Sequence, residues 1–370
     1  MRPFLIVAAV SAVAAFAVTP VIRRVAIRLR VVDVPTDRKV HAEPTPLLGG
    51  VVLYVAIVVG VIAAWTLPEF RALFRESSEP VGIILAATAL VVLGVVDDVR
   101  DLRPATKLAG QLIVAGILVR SGVQIFYIWL PGVGIVSLSS DLAALVTALW
   151  TVAIVNAVNL IDGLDGLAVG VTAIAAGSFF IYAHQTSGAF ATTAELLTAV
   201  TVGACIGILR FNFSPATIFI GDAGAYVLGL ILASATMSAI SRTTEPQFID
   251  VAGFIVPALV PFVVLAIPLA DVGFAIARRM RRGRPVFHAD KAHIHHWLLD
   301  MAGSHRSAVL VMYLWSAMIS ASALVLALGP GTFWRAVSLS IMGLLALSIL
   351  VLPRALRRLS AGRVPGDVPG

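Results

Sequence analysis

Apolar runs long enough to cross a bilayer dominate the chain. A hydrocarbon core about 30 Å thick takes roughly 20 residues of helix. The sequence supplies eleven such stretches, at about 4–22, 47–66, 80–96, 105–121, 141–158, 167–183, 196–210, 223–240, 251–275, 308–328 and 332–352. The predicted fold class is all-α, a polytopic integral membrane protein of about 11 transmembrane helices. Only Arg2 precedes the first stretch, whereas Arg23, Arg24, Arg28 and Arg30 follow it. That asymmetry reads as a retained helix with its downstream end in the cytoplasm, not as a cleaved signal peptide. The N-terminus is therefore expected outside and, after eleven alternations, the C-terminus in the cytoplasm. Residues 1–358 form the expected membrane domain, and the Gly/Pro-rich 359–370 a flexible cytoplasmic tail.

Composition supports the pattern. Apolar residues make up 59% and charged residues 13% of the chain, with a mean hydropathy of +0.98. Soluble domains carry about 25% charged residues, so this chain cannot coat a water-exposed surface, and soluble enzymes, secreted disulfide scaffolds and disordered regulators are excluded. The single cysteine, Cys205, rules out an intramolecular disulfide and a Cys-based metal cluster. A net charge of +7 invites a nucleic-acid reading, but its placement argues otherwise. With eleven spans, only Arg2, Arg71, Arg75, Arg120, Arg242 and Arg335 of the 27 basic residues fall outside; the rest fall on the cytoplasmic side. The charge is topological, and no nucleic acid is expected as a partner.

The polar residues with chemical potential gather on that same side. Asp97 and Asp98 end the third stretch in LGVVDDVRDL. Helical neighbours point about 100° apart, so one can contact a metal while the other accepts a proton or pairs with Lys107; a solvated helix end is the plain alternative. Asn156, Asn159, Asp162 and Asp165 recur every third residue in NAVNLIDGLDGL. That spacing brings consecutive members to one side of a helical or 3₁₀ turn, and amide and carboxylate oxygens are the hard donors Mg²⁺ selects. Helix capping needs only one such residue. Asp222, in RFNFSPATIFIGDAG, reads equally as an N-cap or a metal ligand. His293, His295 and His296 in HADKAHIHHWLLD could supply three nitrogens to zinc, but their spacing is not that of a zincin and no cysteine is near. With Arg278–Arg284 and Lys291 beside them, they suit a phosphate-facing loop better. Lys39 and His41, ahead of a rigid Pro44–Gly50 stretch, read as a second phosphate-docking loop or as simple membrane anchoring.

Taken together, DVPTDRKVHAEPTPLLGG, VVDDVRDLRPATKLAGQ, NAVNLIDGLDGLAVG, FNFSPATIFIGDAGAYVLG and ADKAHIHHWLLD resemble the polyprenyl-phosphate N-acetylhexosamine-1-phosphate transferases over about residues 33–310. The resemblance implies transfer of a sugar-1-phosphate from a UDP-N-acetylhexosamine to a polyprenyl phosphate, with release of UMP and with Mg²⁺ or Mn²⁺ as cofactor. It implies metal ligation by Asn159 and Asp222. It implies that Asp97 and Asp98 hold or deprotonate the lipid phosphate or help to place the metal. Asp162, Asp165 and Asn212 would line the nucleotide pocket, and His293, His295, His296, Lys39 and His41 would contact phosphate or sugar. The implied setting is the bacterial cytoplasmic membrane with the site facing the cytoplasm, and a homodimer is a candidate assembly. The first and last of the five motifs are similar to the branch using UDP-N-acetylglucosamine. The branch using UDP-N-acetylmuramoyl-pentapeptide usually has a three-His run followed by a carboxylate, absent here. Ala225, Leu47-Leu48 and Trp297 depart from the usual pattern without removing an expected ligand. An ion-coupled transporter is the rival of a different class. It would require acids near the bilayer centre and an inverted repeat, and neither is evident.

Overall fold

The computed structural model describes residues 1–33, 44–130, 133–186, 192–241 and 304–329, with 331, 333–334, 337–341 and 343 beyond them. In chain order the helices are α1 (Arg2–Arg28), α2 (Gly49–Thr66), the short α3 (Arg71–Glu76), α4 (Glu79–Arg100), α5 (Pro104–Arg120), α6 (Ser140–Ile161), α7 (Leu167–Thr186), α8 (Thr193–Asn212), α9 (Gly221–Ser241) and α10 (His305–Leu328). Eight of those described are long and apolar enough to cross a membrane: α1, α2, α4 and α6 to α10. Each coincides with an expected stretch. The stretch at 251–275 lies outside the described residues, as does most of 332–352.

The remaining stretch, 105–121, is α5. Its 17 residues span about 25 Å, shorter than any of those eight, yet its two ends lie beside the two ends of α4. Its first turn lies beside the end of α4, where Lys107 Nζ meets Asp97 Oδ2 at 2.7 Å. Its far end lies beside the start of α4, where Ser78 Oγ donates to the Ser121 carbonyl at 2.9 Å.

Helix α9 is the hub. Of its most apolar window, 89% is buried inside the protein, against 22% for α1. The order of hydropathy is the reverse: α1 is the most apolar of the eight and α9 the least. A helix facing lipid must be apolar, whereas one surrounded by protein can carry hydroxyls that find partners. Along α4 the packing is antiparallel from end to end. Ser238 Oγ donates to Glu79 Oε2 at 2.6 Å at one end, Gly94 lies directly against Ala223 nearer the other, with no room for a side chain, and Asp98 meets the first turn of α9. Along α6, Trp150 Nε1 donates to Thr236 Oγ1 at 3.1 Å, and a Cβ on Gly229 would stand 2.7 Å from Val155 Cα. The same antiparallel register carries the end of α6 to the level of Asp222.

Two small antiparallel pairs interrupt the helices. They are β1 (Val32–Asp33) with β2 (Thr45–Pro46), and β3 (Tyr127–Leu130) with β4 (Gly134–Ser137). Neither is expected from the sequence, because such short strands leave no readable alternation. The stretch after β2 pairs with the approach to α9: Phe219 N donates to the Pro46 carbonyl at 2.8 Å, Gly49 N to Phe219 O and Gly50 N to Ile220 O, both at 2.9 Å. From the end of α1, Arg23 Nε donates to the Thr217 carbonyl at 3.0 Å. The ends of α1, α4, α6 and α8 and the starts of α2, α5, α7 and α9 thus share one end of the bundle.

Candidate active site

The site is built around the first turn of α9. Gly221 takes φ +64, and a Cβ there would stand 2.6 Å from Asp98 Oδ2, so only glycine lets Asp98 reach the helix start. Asp98 accepts from the backbone N–H of Asp222 at 2.7 Å and of Ala223 at 3.4 Å. The free N–H groups and the dipole of a helix start favour a carboxylate there. Capping, one of two readings open for Asp222, is therefore performed by Asp98. The Asp222 side chain turns instead to Lys107, with Oδ2 3.3 Å from Nζ.

Lys107 bridges two carboxylates, because Asp97 Oδ2 lies 2.7 Å from the same nitrogen. Asp97 is 3% exposed and fully engaged. It also accepts from Leu102 N at 3.0 Å and from the Tyr226 hydroxyl at 3.0 Å. The adjacent aspartates thus face different partners, as their angular separation on a helix requires, and Asp97 is the one that pairs with Lys107.

The every-third-residue set divides where α6 ends, at Ile161. Asn156 stays in the helix and exchanges side-chain hydrogen bonds with Gln111 of α5, at 2.6 and 3.4 Å. Asn159 occupies the last turn, partly exposed, and its carbonyl accepts from Asp162 N at 3.2 Å. Asp162 begins the Gly-broken connection to α7. Part of its surface is open to solvent, yet the protein around it, followed by the negative charges of Asp222, Asp98 and Asp165, pushes its carboxyl up to about 8. Asp165 leaves the set altogether: its Oδ2 accepts from Ala216 N at 2.9 Å, joining the α6–α7 and α8–α9 connections. Asn212 is 3% exposed, and its amide donates to the Ile218 carbonyl at 2.9 Å, folding the α8–α9 connection back on itself. The expected single face of four donors is therefore corrected to two helical amides and two loop carboxylates, because the chain leaves the helical path before Gly163. His293, His295, His296, Lys39 and His41 lie outside the described residues.

Among the described residues, no three His, Cys, Asp or Glu side chains already form a ready-made cation site. The donor chemistry nonetheless fits a hard divalent cation. Asp222, Asp98 and Asp162 are close enough to repel one another, the amide of Asn159 stands in the last turn of α6, and the Lys107 ammonium already sits between two carboxylates. Like-charged oxygens gathered in a poorly solvated place call for a compensating positive charge.

The chain is similar to known proteins over most of its length. The profile of glycosyl transferase family 4 matches residues 80–240, from the start of α4 to the end of α9. The decaprenyl-phosphate N-acetylglucosaminephosphotransferase of Mycobacterium leprae (strain TN) is 36% identical over 330 residues, covering 86% of this chain and 83% of that protein. The chain belongs to the polyprenyl-phosphate N-acetylglucosamine-1-phosphate transferase family. A second relative, the probable undecaprenyl-phosphate N-acetylglucosaminyl 1-phosphate transferase of Bacillus subtilis (strain 168), is 33% identical over 88% of this chain and 85% of its own. The phospho-N-acetylmuramoyl-pentapeptide-transferase of Shouchella clausii (strain KSM-K16) is 33% identical over 69% of this chain and 75% of its own.

For this family member, several residues at the site escape sequence reasoning. Tyr226 lies four residues after Asp222 and Gln111 four after Lys107, so each shares a helix face with a residue already singled out; that spacing is a usable signal. Tyr313 and Arg306, which donate to the Gly166 and Ser214 carbonyls of the loops beside the site, carry no such signal, since those partners lie far away in the chain.

Proposed function

We propose that this membrane enzyme transfers N-acetylglucosamine-1-phosphate from UDP-N-acetylglucosamine to a polyprenyl phosphate at the cytoplasmic face of a bacterial cytoplasmic membrane, releasing UMP. A phosphate oxygen of the lipid becomes bonded to the phosphorus that carries the sugar, and the bond from that phosphorus to UMP breaks. The observation that carries the reading is the meeting of three helices, α4, α5 and α9, at one helix start: Asp98 capping α9, and Lys107 linking Asp97 to Asp222. Such a reaction is mainly positioning and charge neutralisation. One reactant is soluble and anionic and the other is anchored in lipid, so a site at the helix ends suits both.

Asp222 and Asn159, with Asp98 and Asp162 close by, would hold Mg²⁺. The cation would screen the pyrophosphate and stabilise charge on its oxygens. Asp97, held by Tyr226, Leu102 and Lys107, keeps the Lys107 ammonium at the mouth of the acidic group, where it can neutralise a phosphate oxygen. Asp98 fixes the start of α9 and with it the carboxylate of Asp222. Asp162, the second oxygen of Asp165 and the stapled Asn212 loop form the side assigned to the nucleotide. The Mycobacterium leprae and Bacillus subtilis relatives are both named for N-acetylglucosamine, which favours that sugar. A carrier would need its acids at mid-bilayer; the acids gathered around Asp222 lie at helix ends and in the connection after α6.

Purified protein given UDP-N-acetylglucosamine, polyprenyl phosphate and Mg²⁺ should release UMP and lose that activity in EDTA. Asp222→Asn should lower turnover on the order of 100-fold or more while the protein still inserts and unfolds cooperatively. Full turnover in EDTA would remove the metal from the reading, and full turnover in the variant would remove Asp222. Parallel assays with UDP-N-acetylmuramoyl-pentapeptide and UDP-N-acetylgalactosamine should give much less product; equal use of either would overturn the choice of sugar.

A further inference from the structure

Two connections carry acids of the site: 162–166, with Asp162 and Asp165, and 213–220, which leads to Asp222. They are joined directly by Asp165 Oδ2 and Ala216 N, 2.9 Å apart. Helix α10 touches both. The Tyr313 hydroxyl donates to the Gly166 carbonyl. Its ring lies against Gly170, where even a methyl group would overlap it, with its centre 6.4 Å from that of Phe213. Arg306 Nε donates to the Ser214 carbonyl at 2.7 Å. Seven residues make two helical turns, so Arg306 and Tyr313 share one face of α10 about 10 Å apart. The contacts close a ring: Tyr313, Gly166, Asp165, Ala216, Ser214, Arg306 and back along α10.

We propose that Tyr313 is a positioning residue for the UDP-sugar, holding the 162–166 connection at the height where Asp162 and Asp165 meet the nucleotide, with Arg306 as the second point of the same brace. The inference rests on the transferase reading. The connection's own backbone bonds, Asp162 N to Asn159 O, Gly163 N to Ile161 O and Leu167 N to Leu164 O, are short-range, and Gly166 takes φ +79, so they shape the turn while its position against the α8–α9 connection is set from outside. The Gly166 carbonyl also accepts from Gly170 N at 2.9 Å. Losing the hydroxyl therefore leaves that oxygen bonded once and the start of α7 intact, while the tie to α10 is gone and Asp165–Ala216 alone holds the connection from outside. A tyrosine that merely filled space would be fully replaced by phenylalanine.

Tyr313→Phe isolates the hydroxyl. The expected result is a rise in KM for UDP-N-acetylglucosamine of about fivefold or more, the factor belonging to one net hydrogen bond, with KM for polyprenyl phosphate within about twofold of wild type. Arg306→Gln, at the other end of the brace, should give the same selective rise, and it provides the reading if Tyr313→Phe does not accumulate. Thr201→Val, which removes a buried hydroxyl bonded to the Leu197 carbonyl in mid-α8, measures what lost stability alone does to both constants. A donor KM that does not move, or both KM values shifting together as in Thr201→Val, overturns the brace. Absence of UMP release from the wild-type protein would instead overturn the proposed function, so the two failures are distinguishable.

Discussion

At the scale of single residues, the sequence names the acids and the structure supplies their partners. Asp97, Asp98, Asp162, Asp165 and Asp222 stand out because carboxylates at the ends of apolar stretches are costly unless used. Their division of labour is not legible, because it depends on which helix lies alongside. Asp98 caps α9 only because Gly94 lets α4 approach Ala223, and Asp165 turns away to Ala216, 51 residues further on. Asp162 yields a test with a definite sign. Its carboxyl ionises near 3.8 in a free chain and about 8 in the folded protein. Between those values the folded state binds more protons than the unfolded one, so stability falls as pH rises through this window and levels off above it. Asp162→Asn removes that dependence. In protein freed of divalent cations, thermal unfolding should show the variant gaining on wild type as pH goes from about 5 to about 8.5. A variant that instead loses stability relative to wild type as pH rises would contradict the crowding of carboxylates around Asp162.

At the scale of elements, hydropathy marks all eight described helices that are long and apolar enough to cross a membrane, and the shorter α5 besides, but not how far each one runs. The 4–22 stretch becomes a helix reaching Arg28, since long basic side chains can continue a helix into the headgroup region while their charges reach water. Two helix starts away from the site, those of α6 and α8, are secured by ordinary capping, legible only once the boundary is known. Thr192 and Glu195 form a reciprocal box at the start of α8: Glu195 N donates to Thr192 Oγ1 at 3.2 Å and Thr192 N to Glu195 Oε2 at 2.8 Å. The other Glu195 oxygen meets His184 Nδ1 of α7 at 2.8 Å, so this 1% exposed carboxylate is satisfied on both sides. Thr192→Ala should cost about 1 kcal/mol. Glu195→Ala should cost more, because it also strips the partner from His184. Both lie at the bundle end opposite Asp222, so unfolding temperature should drop while KM and kcat for transfer hold. A fall in kcat at full occupancy of folded protein would mean the two ends are coupled.

For the whole molecule, one asymmetry organises everything else: the acids, their lysine and the loops that hold them share an end, and so does most of the positive charge. Among the described residues Arg23, Arg24, Arg28, Arg30, Arg100, Arg103, Lys107, Arg210 and Arg306 belong to the site end, against Arg2, Arg71, Arg75 and Arg120 at the other. Basic residues are retained on the cytoplasmic side during insertion, and this bias is the ground for the proposed placement of the acidic cluster in the compartment where soluble nucleotide sugars are available. Charge counting alone suggests this placement, whereas the hub position of α9 shows in the sequence only as its lower hydropathy, which does not say which helices surround it. Orientation is open to direct measurement. In a Cys205→Ser background, whose native thiol is buried, a cysteine at Arg103, between α4 and α5, should react with a membrane-impermeant maleimide only after the inner face is opened. A cysteine at Ser137, at the end of β4, should react in intact cells. The reverse pattern would turn the protein over and put the acids outside, where a cytosolic UDP-sugar could not reach them, and the proposed reaction would fail with it.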